Sequence, residues 1–88
     1  MKIEVKKMSL DEAKSKGMTK WPVWEKEAST FDWHYDSNEQ CYILEGDVEI
    51  KTASETVKFG AGDYVKFPSG LDCTWHVIKP VKKHYKFG

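Results

Sequence analysis

No charge of either sign dominates this sequence. Lysine and arginine together number 14 and aspartate and glutamate also 14, which leaves the formal net charge at zero. Without a net field, nothing steers the chain onto nucleic acid, and no nucleic-acid partner is expected. Lysines do gather at Lys79, Lys82, Lys83 and Lys86, spaced as on a solvated edge strand that lysine protects from pairing. No stretch approaches the ~20 apolar residues needed to span a bilayer. The start, "MKIEVKKMSLDEAK", is charged and lacks the apolar run of a secretory leader. Neither membrane attachment nor export is therefore expected. Cysteine is scarce: Cys41 and Cys73 are the two in the chain, and a reduced, cytoplasmic protein follows by default. Their spacing does not reveal whether they lie close enough to pair. Repeats, linkers and low-complexity tracts are absent as well, and 88 residues suit one domain spanning 1–88.

What the chain has instead is rings. Four tryptophans, four tyrosines and four phenylalanines supply bulk to a core that must be thin at this length. "KIEVKKM" alternates apolar and charged residues like an exposed first strand. Ser9 with Glu12 three residues on is a capping-box pattern, and Gly17 ends a helix of two or three turns. The remainder reads as strand and turn. Pro22 confines its segment to an edge or a strand start. "EQCYILEGDVEIKTA" reads as two strands broken by a hairpin-type turn at Glu45-Gly46-Asp47. "ETVKFGAGDYVKF" reads as two more around a Gly-Ala-Gly-Asp turn, and "CTWHVIKPVKKHYKF" as a last pair split at Pro80. Turns at this spacing mean an all-β sandwich or barrel with one short N-terminal helix.

Two local patterns carry more information. In "CYILE", Cys41 and Ile43 point one way and Tyr42 and Leu44 the other, yet all four are apolar. Such a strand is covered on both faces. The cover is either the tryptophan-rich N-terminal segment or a second copy of the chain, so a homodimer is expected. In "FDWHYD", Phe31, Trp33 and Tyr35 share one face while Asp32, His34 and Asp36 share the other. Exposing three rings of roughly 150–250 Å² each, at about 25 cal/mol per Å², costs several kcal/mol. The aromatic face therefore belongs inside, and His34 on the surface among acidic neighbours.

Glu39 opens the apolar strand; turned inward it is poorly solvated unless a donor bonds it, and it is then the best candidate for a general acid or base. Cys73 shares its face with Trp75 and Val77. It reads as a small hydrophobe, with no cation or helix N-terminus evident to make it a nucleophile.

The run Gly62-x5-Pro68-x-Gly70-x2-Cys73 has the spacing of the second cupin motif, and Glu39-x6-Gly46 closes the first. The chain thus resembles the cupin superfamily. Its "WPVW", "YILEG", "GDYVKFPSGLDCTW" and "PVKKHY" segments resemble the short single-domain cupins of the (S)-ureidoglycine aminohydrolase group. The resemblance implies a small RmlC-like jelly-roll barrel. It also implies a divalent transition metal, such as Zn²⁺, Fe²⁺ or Ni²⁺, held by histidines and a glutamate. In one register the family's ligand positions fall on Trp33 and Tyr35, which are not competent ligands, and the third histidine position is Cys73. In the other they fall on Asp32 and His34, which gives the set His34, Glu39 and Cys73.

The expected function is binding of a small sugar- or ureide-like molecule without a metal. Trp33, Tyr35, Glu39, Cys73 and Trp75 form the pocket, an aromatic wall with few convergent polar groups. The alternative is a metal-dependent aminohydrolase-type enzyme using His34, Glu39 and Cys73. A third reading makes the rings core alone, with no cavity for a ligand.

Overall fold

The computed structural model describes residues 2–88. Seven antiparallel strands form one wrapped sheet: β1 (Glu4–Lys7), β2 (Val23–Lys26), β3 (Ser29–His34), β4 (Glu39–Lys51), β5 (Thr56–Gly60), β6 (Asp63–Phe67) and β7 (Asp72–Phe87). The order β1-β6-β4-β7-β2 is extended by β3 on β7 and β5 on β4. One short helix, α1 (Leu10–Ser15), and a 3-10 turn (Met18–Lys20) precede β2. Ser9 caps α1 through its side chain, accepting from the Glu12 N–H, and Gly17 takes the left-handed conformation that stops it.

Two hairpins expected from glycine and proline are instead two long, bent strands. β4 runs unbroken for 13 residues through Gly46, and β7 for 16 through Pro80. They pair with each other along most of their length, and the register shifts three times between Ile43 and Val48. The irregularity changes the inward parity of β4. Cys41 and Ile43 are buried before it, Val48 and Ile50 after it. Gly46 and Pro80 meet at the bend, where proline's missing N–H and glycine's positive φ suit a β-bulge. On its other side β4 pairs β6 through its first half and β5 through its second, while β7 pairs β2 and β3. The bend thus lets one pair of strands serve both ends of the barrel.

The lysine-rich tail is accordingly no edge. β7 is a central strand with partners on both sides, and Lys83 within it is buried. The edges are instead strands with a single partner, β1 on β6 among them.

The doubly apolar strand is covered by the chain itself. Tyr42 packs with Met8, Ala13 and Met18, flanked by Trp21, Leu44 and Tyr64. Its hydroxyl donates to the Met8 carbonyl at 3.0 Å. The face that suggested a second copy is therefore met by the N-terminal segment. Tyr42→Phe is expected to lower stability by about 1–2 kcal/mol in urea unfolding, because the buried Met8 carbonyl loses its donor. Among the described residues, no helix is long and apolar enough to cross a membrane.

Candidate functional site

Strand parity delivers the site. On β4 the inward residues begin Glu39, Cys41, Ile43; on β7 they run Cys73, Trp75, Val77, then Val81 and Lys83 beyond the bend. Cys41 lies opposite Tyr85 and Ile43 opposite Lys83, so Glu39 and Lys83 project from adjacent strands into one interior. The Lys83 Nζ stands 3.3 Å from Oε1 and 3.2 Å from Oε2 of Glu39, and 3.5 Å from the Cys41 Sγ. Both side chains of the pair are about 95% removed from solvent, at 6% and 5% exposure. The same ammonium sits 4.9 Å from the centroid of Trp24 and 4.8 Å from that of Trp75. A buried charge needs a partner, and here carboxylate and π-faces together hold this one.

Around the pair lies a cavity of about 200 Å³, walled by Trp24, Phe31, Trp75, Tyr35 and Tyr85, with Trp33 and Phe87 at its rim. The two rim rings are about half exposed. Inside, Phe31 stacks on Trp75 at 5.9 Å and Tyr35 on Phe67 at 4.7 Å. Tyr35 is fixed from outside the barrel as well. Its N–H donates to the Leu71 carbonyl, and its own carbonyl accepts from Gly70, whose φ of 85° the Pro68–Gly70 turn requires. Burial, and then the negative charge of Glu39, push the Tyr35 phenol well above its usual range. Tyr35 is a proton donor in this site and not a base. The Trp75 Nε1 is buried without a hydrogen-bond partner among the described residues.

The residues expected in the pocket therefore divide. Trp33, Tyr35, Glu39 and Trp75 line one cavity. Cys73 does not. It packs in the core and its thiol reaches the Trp33 carbonyl at 3.7 Å. Lys83, Trp24 and Tyr85 were missed. Lys83 falls on the same odd-numbered face as Cys73, Trp75 and Val81, a parity signal masked by the lysines beside it.

The metal set of the alternative reading does not assemble. His34 faces outward, with Nδ1 2.6 Å from Asp72 and Nε2 3.5 Å from Asp36, while Glu39 faces inward. His34 lies on the outward face of β3 and Glu39 on the inward face of β4. Among the described residues no three histidine, cysteine, aspartate or glutamate side chains converge as a metal site. Moreover, both Glu39 oxygens are engaged by an ammonium ion. These residues do not fit the family's metal centre.

Both cysteines are free and buried. Burial pushes the Cys41 thiol up to about 12 and the Cys73 thiol up to about 11. Since the folded values lie above the unfolded one, the stability tied to the neutral thiols is present below about pH 9 and fades as pH rises toward 11–12. Alkylation by iodoacetamide at pH 8 is expected to proceed only as fast as unfolding exposes these thiols. Rapid modification of the native protein would contradict the buried placement.

The geometry agrees with comparisons to known proteins. A family profile described as the EutQ-like cupin domain matches residues 13–85. The crystal structure of a DUF861 family protein from Thermotoga maritima is 46% identical and superposes with a TM-score of 0.93, over 99% of this chain and 100% of that one. The Clostridium difficile EutQ protein is 21% identical with a TM-score of 0.68, over 97% of this chain and 66% of that one. A cupin-2 domain protein from Shewanella frigidimarina is 20% identical with a TM-score of 0.60, over 72% and 63%. No curated protein matches the chain.

Proposed function

The chain belongs to the EutQ-like cupin family, and from that premise we propose that its barrel binds a small, partly planar organic molecule beside the Glu39–Lys83 pair, without a divalent metal. The observation that carries this reading is a single buried ion pair in an otherwise aromatic cavity of about 200 Å³. An interior that served only as core would fill that volume. Apolar walls with a few convergent polar groups are the usual build of a ligand site.

The polar points define the ligand. Lys83 and Tyr35 donate, and Glu39 accepts. A carbonyl beside an N–H, as in a ureide or amide, or a vicinal diol, as in a sugar, matches a donor and an acceptor side by side. The ureide side of this reading also draws on the likeness of the "YILEG" and "GDYVKFPSGLDCTW" segments to the ureidoglycine aminohydrolase group, a finer grouping than the family match.

Titration of intrinsic tryptophan fluorescence with acyclic ureides, cyclic ureides and monosaccharides tests it. Saturable quenching by at least one member is expected, and Glu39→Gln should weaken it about tenfold or more, equivalent to about 1.4 kcal/mol. No response to any member, with Glu39→Gln only lowering the melting temperature, would reduce the rings to core. Elemental analysis of the purified protein is expected to give no stoichiometric zinc, iron or nickel. One equivalent, lost in His34→Ala, would restore the metal reading.

A further inference from the structure

We propose that Lys83 captures small aldehydes or ketones as a reversible imine, with Glu39 as its proton relay. The inference deepens the binding reading above and rests on it, since the carbonyl must first enter the aromatic cavity.

Three observations point to it. First, charge balance accounts for the ammonium beside Glu39 but not for the empty space next to it. This amine lies among the walls of an apolar cavity of ligand size. A desolvated amine in such a setting is the usual origin of imine-forming lysines. Second, a carboxylate touches it at 3.2 Å and 3.3 Å and faces the same space. Imine formation requires a group that removes a proton from the amine and later delivers one to the departing oxygen. Third, the product is itself a cation. A protonated imine at Nζ would keep both its aromatic contacts, at 4.9 Å and 4.8 Å, and its counter-ion Glu39.

The step balances without any co-reactant. Glu39 takes one proton from the Lys83 ammonium. The freed nitrogen lone pair forms the C–N bond as the carbonyl π bond opens, and the oxygen takes a second proton from that nitrogen to give a neutral carbinolamine. Glu39 returns its proton as that hydroxyl leaves as water. Ammonium plus carbonyl become protonated imine plus water, and Glu39 starts and ends as carboxylate. The neighbouring Cys41 stays a thiol and does not compete for the carbonyl. The ring-lined walls favour a carbonyl on a compact apolar or aromatic body.

The test needs no substitution. The intact protein is treated with limiting benzaldehyde and sodium cyanoborohydride, and each lysine is quantified by peptide mapping. Lys83 is expected to be labelled at least about tenfold faster than the exposed Lys58 or Lys7, from orientation and relay alone. Benzyl alcohol, the same body without the carbonyl, should protect Lys83 and leave the exposed lysines unaffected. Labelling of Lys83 no faster than Lys58 overturns the proposal. If benzyl alcohol still quenches tryptophan fluorescence in that case, ligand binding stands and only the covalent step falls; if it does not quench, both fall for this ligand class.

Discussion

Lys83→Met is expected to destabilise the protein by about 3–5 kcal/mol, because it leaves the Glu39 carboxylate buried without its counter-charge. For a domain of 88 residues, each kcal/mol moves the melting temperature by about 4–8 °C. A loss of roughly 12 °C or more is therefore expected in calorimetry at neutral pH. The decisive comparison is the double variant Glu39→Gln/Lys83→Met. Removing both charges takes away the desolvation penalty together with the attraction, and a buried pair replaced this way is often neutral in stability. The double variant should recover most of what Lys83→Met loses, giving a coupling energy of at least about 2 kcal/mol in a double-mutant cycle. Additive losses would mean that the two groups do not share one low-dielectric interior. The pair's importance would then have to be sought in ligand binding alone.

Gly46→Ala is expected to be as damaging, for a backbone reason. Gly46 has φ of 112°, a region closed to L-residues with a Cβ. A Cβ built there would meet the Pro80 carbonyl oxygen at 2.6 Å and the Val81 Cα at 2.8 Å. Both are backbone atoms of β7, which cannot rotate away as a side chain would. Strain and collision together should cost about 3 kcal/mol or more, at the upper end of single substitutions. Gly62→Ala makes an informative control. It also sits at positive φ, 87°, but its added Cβ would meet nothing within 4 Å, so it should cost only about 1–2 kcal/mol. Equal losses in urea unfolding would show that φ alone matters and that the close approach of β4 to β7 does not.

These two experiments bear on different links between sequence and function. Gly46 shapes the bend that lets β4 and β7 span the barrel; Lys83 hangs from that bent strand and charges the cavity.

Local chemistry was readable along the chain. The Ser9 cap, the Gly17 stop, the Gly60–Asp63 turn and the Pro68–Gly70 turn are where short-range rules put them. Alternation in "FDWHYD" placed Tyr35 inside and His34 outside, because the sequence assigns rings to one face and charges to the other. Glu39 was readable only as an inward carboxylate in need of a donor. Its donor was not, since a lysine among lysines carries no local sign of burial. Gly46 and Pro80 were misread for a similar reason. Glycine and proline signal a break in regular pairing, and a bulge in a continuous strand uses the same residues as a turn between two strands.

The order of polar and apolar side chains, together with the turn residues, was thus enough to specify an all-β barrel with a capped helix and an aromatic interior. Those features depend on neighbours within a few residues. Which strands are continuous, which segment covers Tyr42, and which lysine meets Glu39 depend on contacts more than thirty residues apart. Only closure of the sheet brings such groups together. The charge of the cavity is therefore a property of the tertiary structure: burial makes an ammonium beside a carboxylate necessary at that point, while the same lysine on an open strand would be one solvated charge among several.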